Sequence, residues 1–136
     1  MKKFQSLADP ISFFEELGDL HDAKICRVEW ILIDRVIVLE VDNLNANFVG
    51  LPEYQGRKQA LIKFNEVESV QLDCDAVKVD VQRVYELEVG DDRTANRRKI
   101  ALRITPSGQL SFFCASIEIG SLLEGGQTCK PMPPAI

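Results

Sequence analysis

The sequence is poor in the residues that imidazole catalysis and zinc binding require. It contains one histidine, His21, and four cysteines that are far apart in the chain: Cys26, Cys74, Cys114 and Cys129. Without a second histidine or a Cys-x-x-Cys pair, the common zinc arrangements are excluded. We therefore predict no metal ion and no cofactor. The wide spacing favours reduced thiols in a cytoplasmic protein, with Cys26, Cys74 and Cys114 as small core side chains.

The sequence also lacks a long apolar run and an excess of basic residues. Its longest apolar stretch, residues 31–39, is interrupted by Asp34 and Arg35 and is far shorter than the roughly 20 residues that cross a bilayer. The net charge of −5 disfavours a phosphate backbone as a partner, because such binding needs lysine and arginine along one face. We therefore expect no membrane or nucleic-acid binding, whereas a basic protein partner would suit the charge.

What the sequence does contain is a period-two alternation of apolar and polar residues. A short helix is indicated first, over 10–17, where Asp9 can cap, Pro10 suits the first turn and Gly18 can end the helix. About seven strands follow, at 24–33, 36–42, 60–64, 69–74, 77–89, 98–105 and 109–119. The predicted fold class is mainly β, an antiparallel sheet in the form of a meander, a sandwich or a partly open barrel.

The same patterns predict the domain organisation and a tendency to self-associate. Residues 1–120 form one β-rich domain, and residues 121–136, rich in glycine and proline, form a flexible C-terminal tail. A homo-oligomer is also predicted from exposed strand edges and from apolar residues that face outward on the first hairpin: Ile25, Ile31, Ile33, Val36 and Val38.

His21 and Asp22 are the candidate polar site. They could form a base and its orienting carboxylate, or they could close the turn before the first long strand by hydrogen bonds to the backbone. Thiols on core faces are poor nucleophiles because burial disfavours the thiolate, and no Gly-x-Ser-x-Gly motif occurs. We interpret the pair as structural and expect no catalytic residues.

Two polar connections carry side chains suited to contact a partner. Phe48 and Tyr54 lie in the loop 42–59, which either wraps over the core or presents a contact surface. The connection 90–97 carries a charged group: Asp91, Asp92, Arg93 and Arg97. We predict these six residues as the partner-binding set.

Three asparagines in the first of these loops, at 43, 45 and 47, have the spacing of the first calcium ligands in an EF-hand loop. The loop lacks the glycine of the tight turn and the terminal glutamate, so asparagines that close local turns are the better interpretation.

The segments LHDAKI (20–25) and LIKFNEV (61–67) resemble a pattern of small uncharacterised bacterial β-rich proteins, some of which are grouped with the immunity proteins of polymorphic toxins. The resemblance implies a cytoplasmic protein that neutralises a toxin by binding it, without catalysis, and it transfers no site residues. Our leading hypothesis is a noncatalytic, immunity-like module that acts by stoichiometric binding to another protein. The alternatives are a small-ligand-binding β-domain and, third, an enzyme that uses His21.

Overall fold

The computed structural model describes residues 3–73, 82–92, 97–105 and 108–121. Within these ranges the chain forms one helix, α1 (Pro10–Glu16), and two short 3₁₀ turns, Gly18–Leu20 and Ala46–Phe48. The nine strands of the described residues are β1 (Lys3–Ser6), β2 (Ile25–Ile31), β3 (Val36–Val41), β4 (Ala60–Asn65), β5 (Glu68–Asp73), β6 (Arg83–Asp92), β7 (Arg97–Thr105), β8 (Gln109–Cys114) and β9 (Ser116–Ser121).

These strands form two antiparallel sheets. The first sheet has the order β1-β9-β4-β3-β2 and the second sheet the order β5-β8-β7-β6. The prediction of a mainly β fold with one short N-terminal helix is therefore confirmed, and the arrangement is sandwich-like. No helix in the described part of the chain is long and apolar enough to cross a bilayer. Ser121 is the last residue of β9, and the rest of the predicted tail lies outside the described residues.

Helix α1 begins where the capping signals predict. The Asp9 carboxylate accepts a hydrogen bond from the Ser12 N–H at 3.1 Å, and Pro10 occupies the first turn. A helix of seven residues is not stable by itself in water, so its stability depends on packing. Phe14 supplies this packing: its side chain is buried in the core, and the helix lies against β6.

The main core lies between the inner faces of the two sheets. Phe64 of β4 and Phe112 of β8 meet there nearly at right angles, with ring centroids 5.0 Å apart. Around them, aliphatic side chains from both sheets are almost completely buried: Ile37, Leu39, Leu87, Ile100, Leu102 and Ile117. The gap that remains between these side chains is too small for a water molecule. This part of the interior is therefore a packed core and holds no ligand cavity.

The outer face of the first sheet has its own small cluster. Val36 and Val38 pack with Leu61, and Phe4 of β1 packs against all three. Val36 and Val38 thus lie on the outer face of the sheet, as predicted, but they are covered by the chain itself, since each is only 8% exposed. Sequence reasoning missed β1 because this strand has only four residues and its partner, β9, comes more than a hundred residues later in the chain.

The chain passes from the second sheet to the first at Ala115. The single strand predicted over 109–119 is in fact two strands, β8 and β9, because the chain changes sheets there. The Ala115 N–H donates to the Asn65 carbonyl at 2.9 Å, which fixes the crossing against the end of β4. Buried Cys114 faces the core from one side of this point, and buried Ile117 faces it from the other.

Gly18 allows a close contact between the turn after α1 and the loop 42–59. Its φ of +66° is unfavourable for other residues, and a methyl group at this position would overlap the Asn47 side chain. Gly50 in the same loop also has a positive φ, +87°, but its Cβ position faces open space. A substitution at Gly50 would therefore introduce backbone strain alone, whereas the same substitution at Gly18 would introduce both strain and a steric clash.

We expect Gly18→Ala to destabilise the protein clearly more than Gly50→Ala. Both substitutions introduce the strain of a positive φ, about 1 kcal/mol, whereas only the first also displaces Asn47. Urea unfolding of the two variants measures the difference, which should exceed about 1 kcal/mol. Equal destabilisation would show that the contact with Asn47 is not made.

Candidate functional site: a polar groove on the second sheet

A groove of about 650 Å³ lies on the outer face of the second sheet, beside α1. Its floor is a row of directly opposed residues, in which Glu88 of β6 faces Ala101 of β7, Ala101 faces Ser111 of β8, and Ser111 faces Gln71 of β5. Residues opposite one another in a ladder share a face of the sheet. The small side chains of Ala101 and Ser111 therefore leave a depression in the middle of the sheet.

Two basic side chains border this depression. Lys99 and Arg103 lie on β7, two residues to either side of Ala101, so the alternation along the strand puts all three on one face. Within the described ranges, the Lys99 side chain forms no hydrogen bond or ion pair. Arg103 approaches Glu86 at 3.9 Å, a contact between largely exposed groups that contributes little to stability.

An acidic rim is built by the Gly18–Leu20 turn. Three successive residues have left-handed φ values, 66° at Gly18, 56° at Asp19 and 60° at Leu20. This conformation costs about 1–2 kcal/mol for each residue other than glycine. Complete burial of Leu20 and a hydrogen bond from the His21 N–H to the Gly18 carbonyl, at 3.1 Å, offset the strain. The turn brings Asp19 to the groove.

Three carboxylates meet at this rim. Asp19 is joined there by Glu15 from α1 and Glu88 from β6. Burial raises the pKa of the Asp19 carboxyl, and the negative charges of Glu15 and Glu88 raise it further. In the described part of the chain, no three His, Cys, Asp or Glu side chains are arranged to hold a metal ion, so these carboxylates line an edge and do not form a cage.

His21 holds the segment before β2 against β6. Its Nδ1 lies 2.8 Å from the carbonyl oxygen of Tyr85, to which it donates, and its ring contacts the Tyr85 ring edge-on with centroids 5.7 Å apart. The Asp22 N–H donates to the Val84 carbonyl at 2.9 Å. His21 Nε2 and Asp22 Oδ1 are 3.6 Å apart, so the structure brings the predicted pair together. Neither residue lines the groove.

Asparagines close the turns of the loop 42–59. The Asn43 Oδ1 accepts from the N–H groups of Asn45 and Lys58, at 3.0 and 3.1 Å. The Asn45 side chain donates to the Gly56 carbonyl at 2.8 Å. The structural interpretation of these two asparagines is confirmed, since their side chains tie the two ends of the loop together.

The predicted aromatic anchors in this loop are half-buried. The Tyr54 hydroxyl accepts a hydrogen bond from the Asn43 Nδ2 at 3.2 Å, and Phe48 belongs to the Ala46–Phe48 turn. The exposed large apolar residues of this loop are Val49 and Leu51, at 61% and 50%. A contact role for Phe48 and Tyr54 stays a prediction.

The described ends of the predicted charged connection, residues 90–92 and 97, are strand. Asp91 lies opposite Arg98 and Asp92 opposite Arg97 in the β6–β7 ladder, so the prediction that 90–97 is a loop is wrong at both ends. Arg98 binds the Asp91 carboxylate at 2.6 Å. Pairing along a ladder extends both strands beyond the point at which polar residues begin, which periodicity does not reveal.

Arg97 makes contacts within the fold. Its Nε binds the Glu68 carboxylate at 3.0 Å, and its guanidinium also donates to the Glu66 carbonyl at 2.9 Å. It therefore joins β7 to the turn between β4 and β5. Arg93, the remaining member of the predicted charged group, lies outside the described residues.

The cysteines differ in state. Cys114 is a free, fully buried thiol, and burial raises its pKa to about 12, so it stays protonated and unreactive. Cys26 is disulfide-bonded, so the prediction of a reduced thiol is wrong for this residue. Cys74 and Cys129 lie outside the described residues.

Sequence reasoning missed the groove. Its residues lie on strands that were predicted, but the row of Glu88, Ala101, Ser111 and Gln71 exists only through the register of four strands. The one signal in the sequence was Lys99 and Arg103 flanking a small residue at strand spacing.

The sequence matches no protein-family model, and no curated protein matches it. Among solved structures, the chain is similar to an uncharacterized protein from Neisseria gonorrhoeae, over 88% of this chain and 96% of that chain. The TM-score is 0.48 and the sequence identity is 11%. A likeness this distant carries no argument about function.

We expect Asp19→Asn to raise the melting temperature at pH 7. The pKa of Asp19 in the folded chain lies above its ordinary value of 3.8, so the folded state resists ionisation more than the unfolded state does. The gain should therefore be present above the raised pKa and should disappear as the pH falls below 3.8, where both states are protonated.

Asp22→Asn is the matched control for this variant, because Asp22 also has a left-handed φ, 72°, which asparagine tolerates well. Its carboxylate faces His21 Nε2 at 3.6 Å and not Glu15 and Glu88, so thermal unfolding of both variants across pH compares the loss of a repelled carboxylate with the loss of one beside a histidine. A gain for Asp19→Asn that is the same at pH 7 and below pH 3.8 would contradict the electrostatic explanation.

We expect a reductant to lower the melting temperature of the wild-type protein by several degrees. A native disulfide typically contributes about 2–4 kcal/mol, and Cys26 is bridged. Cys26→Ser should show the lower melting temperature without reductant and no further drop when it is added. Circular dichroism during heating measures all four conditions, and a wild-type value that reductant leaves unchanged would argue against the bond.

Proposed function

We propose that this chain is a noncatalytic module that binds another protein stoichiometrically, with the groove as its main contact surface. The observation that carries the proposal is the set of charged side chains that the groove gathers without pairing them. Within the described residues, Glu88 and Lys99 form no side-chain hydrogen bond or ion pair, although both line the same groove. Charges left unpaired on a shaped surface are available to a partner.

The chemistry of the groove supports binding over catalysis. Among the described residues, its lining includes no histidine and no cysteine. His21 lies elsewhere, with its Nδ1 hydrogen-bonded to the Tyr85 carbonyl, and Cys114 is buried and protonated. Of the described residues, the imidazole and the free thiol that could serve as base or nucleophile thus lie outside the groove.

A small-ligand-binding domain is the second candidate, and the volume of the groove favours it. Ligand pockets commonly enclose about 300–1,000 Å³, but they are mostly apolar and bury most of the ligand. This groove lies on the face of a sheet and is bordered by Glu15, Asp19, Glu88, Lys99 and Arg103. A charged surface of this kind is better suited to a segment of another protein.

An immunity-like role is the form of this function that we propose. The resemblance of residues 20–25 and 61–67 to proteins of that group supports it, as does the acidic character of the chain, with a net charge of −5. The three carboxylates of the rim add a local negative potential. Such a protein would neutralise a basic partner by occupying its surface.

Capture of a partner by the tagged chain, followed by calorimetric titration of the purified pair, tests this proposal. We expect saturation at a fixed stoichiometry and association that slows at high salt. Lys99→Glu should weaken the complex about tenfold or more, because it reverses a charge inside the groove. Lys58→Glu, the same change at an exposed loop position outside the groove lining, should leave the affinity within about twofold.

Two results would contradict the proposal. If no protein is recovered and a small molecule raises the melting temperature, the second candidate is correct. If a partner is recovered whose affinity is unchanged by Lys99→Glu but lowered by Leu51→Ala, the contact surface is the loop 42–59.

A further inference from the structure

The charges of the groove are ordered across the second sheet. Helix α1 packs beside the edge strand β6, so Glu15, Asp19 and Glu88 lie together at that edge. One strand further in, β7 carries Lys99 and Arg103. Beyond it, β8 and β5 contribute only uncharged polar groups to the lining: Gln71, Gln109 and Ser111. Moving inward from α1, the lining of the groove is first negative, then positive, then uncharged; Asp73 of β5, opposite Gln109, is not part of this lining.

The spacing keeps the negative and positive groups separate. Neighbouring strands lie about 4.8 Å apart, and Glu88 is displaced by two residues along the ladder from both Lys99 and Arg103, or about 6.6 Å. Their backbones are therefore about 8 Å apart on the diagonal. This separation is consistent with the absence of any ion pair of Glu88 or Lys99 within the described residues.

The acidic edge is also not neutralised by the basic strand. The charges that act on the Asp19 carboxyl are those of Glu15 and Glu88, both negative. A cation placed at this edge would relieve their mutual repulsion. An anion placed over β7 would likewise find Lys99 unpaired and Arg103 held only by a long contact with Glu86.

We infer, on the basis of the proposed function, that the groove receives a segment of the partner chain that carries a lysine or arginine and, two residues away, an aspartate or glutamate. The basic side chain lies among Glu15, Asp19 and Glu88, and the acidic side chain pairs with Lys99 and Arg103. In an extended segment, residues two apart are separated by about 6.6–6.8 Å, which is comparable to the distance of about 8 Å between the backbones of Glu88 and of Lys99 or Arg103, and long side chains span the remainder.

Segments with one sign of charge fit less well. A purely basic segment is repelled by Lys99 and Arg103, and a purely acidic one is repelled by the rim. Repulsion of this kind rejects wrong partners as effectively as attraction selects the right one. The charge order thus defines which segment binds, and the small side chains of Ala101 and Ser111 leave room for it.

Three capped peptides test the inference on the full chain. The first is acetyl-Gly-Lys-Gly-Glu-Gly-amide; in the second glutamine replaces the glutamate, and in the third glutamine replaces the lysine. Titration at low salt, followed by amide shifts in ¹H–¹⁵N spectra, should give an affinity for the first peptide about three to five times that for either of the others. The shifts should be largest at Glu88, Lys99, Ala101 and Ser111.

Four variants assign the two charged regions. Glu88→Gln should reduce the affinity for the two-charge peptide towards that for the acidic peptide, and Lys99→Gln should reduce it towards that for the basic one. Glu53→Gln and Lys58→Gln are the matched controls, because both residues are exposed in the loop 42–59 and do not line the groove. Equal melting temperatures confirm that all four variants are folded. Free lysine, which carries both charges without a peptide segment, should bind more weakly than the two-charge peptide.

Several outcomes would overturn the inference: no shifts in the groove, equal affinity for the three peptides, or an affinity for the basic peptide equal to that for the two-charge one. Tighter binding of free lysine would show that the groove takes a small zwitterion. If the peptides fail while Lys99→Glu still weakens the complex with a captured partner, the proposed function stands and the charge order is wrong. If the peptides succeed while Lys99→Glu leaves that complex unchanged, the groove binds charged segments but is not the main contact surface.

Discussion

The contact between Phe64 and Phe112 joins the two sheets, and the other features of the fold depend on it. The rings meet edge to face at the centre of the core, with one on β4 and the other on β8. Aromatic pairs in this geometry add to the stabilisation that burial provides. Because the inner faces of both sheets are buried in this core, a partner can be bound only on the outer faces. The outer face of the second sheet carries small and charged side chains, and that face forms the groove.

The acidic rim depends on a strained turn that packing stabilises. The left-handed conformation from Gly18 to Leu20 is unfavourable in isolation, and it persists because Leu20 is buried and Gly18 lies against Asn47. Strain of this kind is often found at functional sites. The same turn brings Asp19 to the groove. Its three residues therefore connect three parts of the fold: Leu20 lies in the core, Gly18 contacts the loop 42–59, and Asp19 lies at the candidate site.

Two of the charged residues predicted to bind a partner are paired within the fold, whereas Lys99 in the groove is not. Arg97 forms an ion pair with Glu68 and donates a hydrogen bond to the Glu66 carbonyl, and Asp91 forms an ion pair with Arg98. These contacts hold β7 in place between its neighbours and leave little for a partner. Lys99, one residue further along β7 than Arg98, points to the other face of the sheet and is unpaired within the described ranges. The strand alternation therefore separates Lys99 from Arg98, whereas Arg97 shares the face of Lys99 and differs from it by its contacts with Glu68 and Glu66.

Local chemistry determined the parts of this protein that the sequence predicts correctly. Asp9 and Pro10 define the start of α1, Asn43 and Asn45 close their turns, and alternation defines the strands of the first hairpin, because each of these effects acts over a few residues. The change of sheets at Ala115 was not predicted, although the sequence carries a sign of it in the shift in parity from Phe112 and Cys114 to Ile117 and Ile119.

Only the tertiary structure decided where β1 pairs, why Val36 and Val38 are buried and which residues meet in the groove. Phe4 covers the two valines from a strand that pairs with β9, more than a hundred positions away in the chain. The row from Glu88 to Gln71 depends on the registers of three ladders at once. A shift of one residue in any ladder would turn the side chains of that strand to the other face, and a periodic pattern alone does not specify which strands become neighbours.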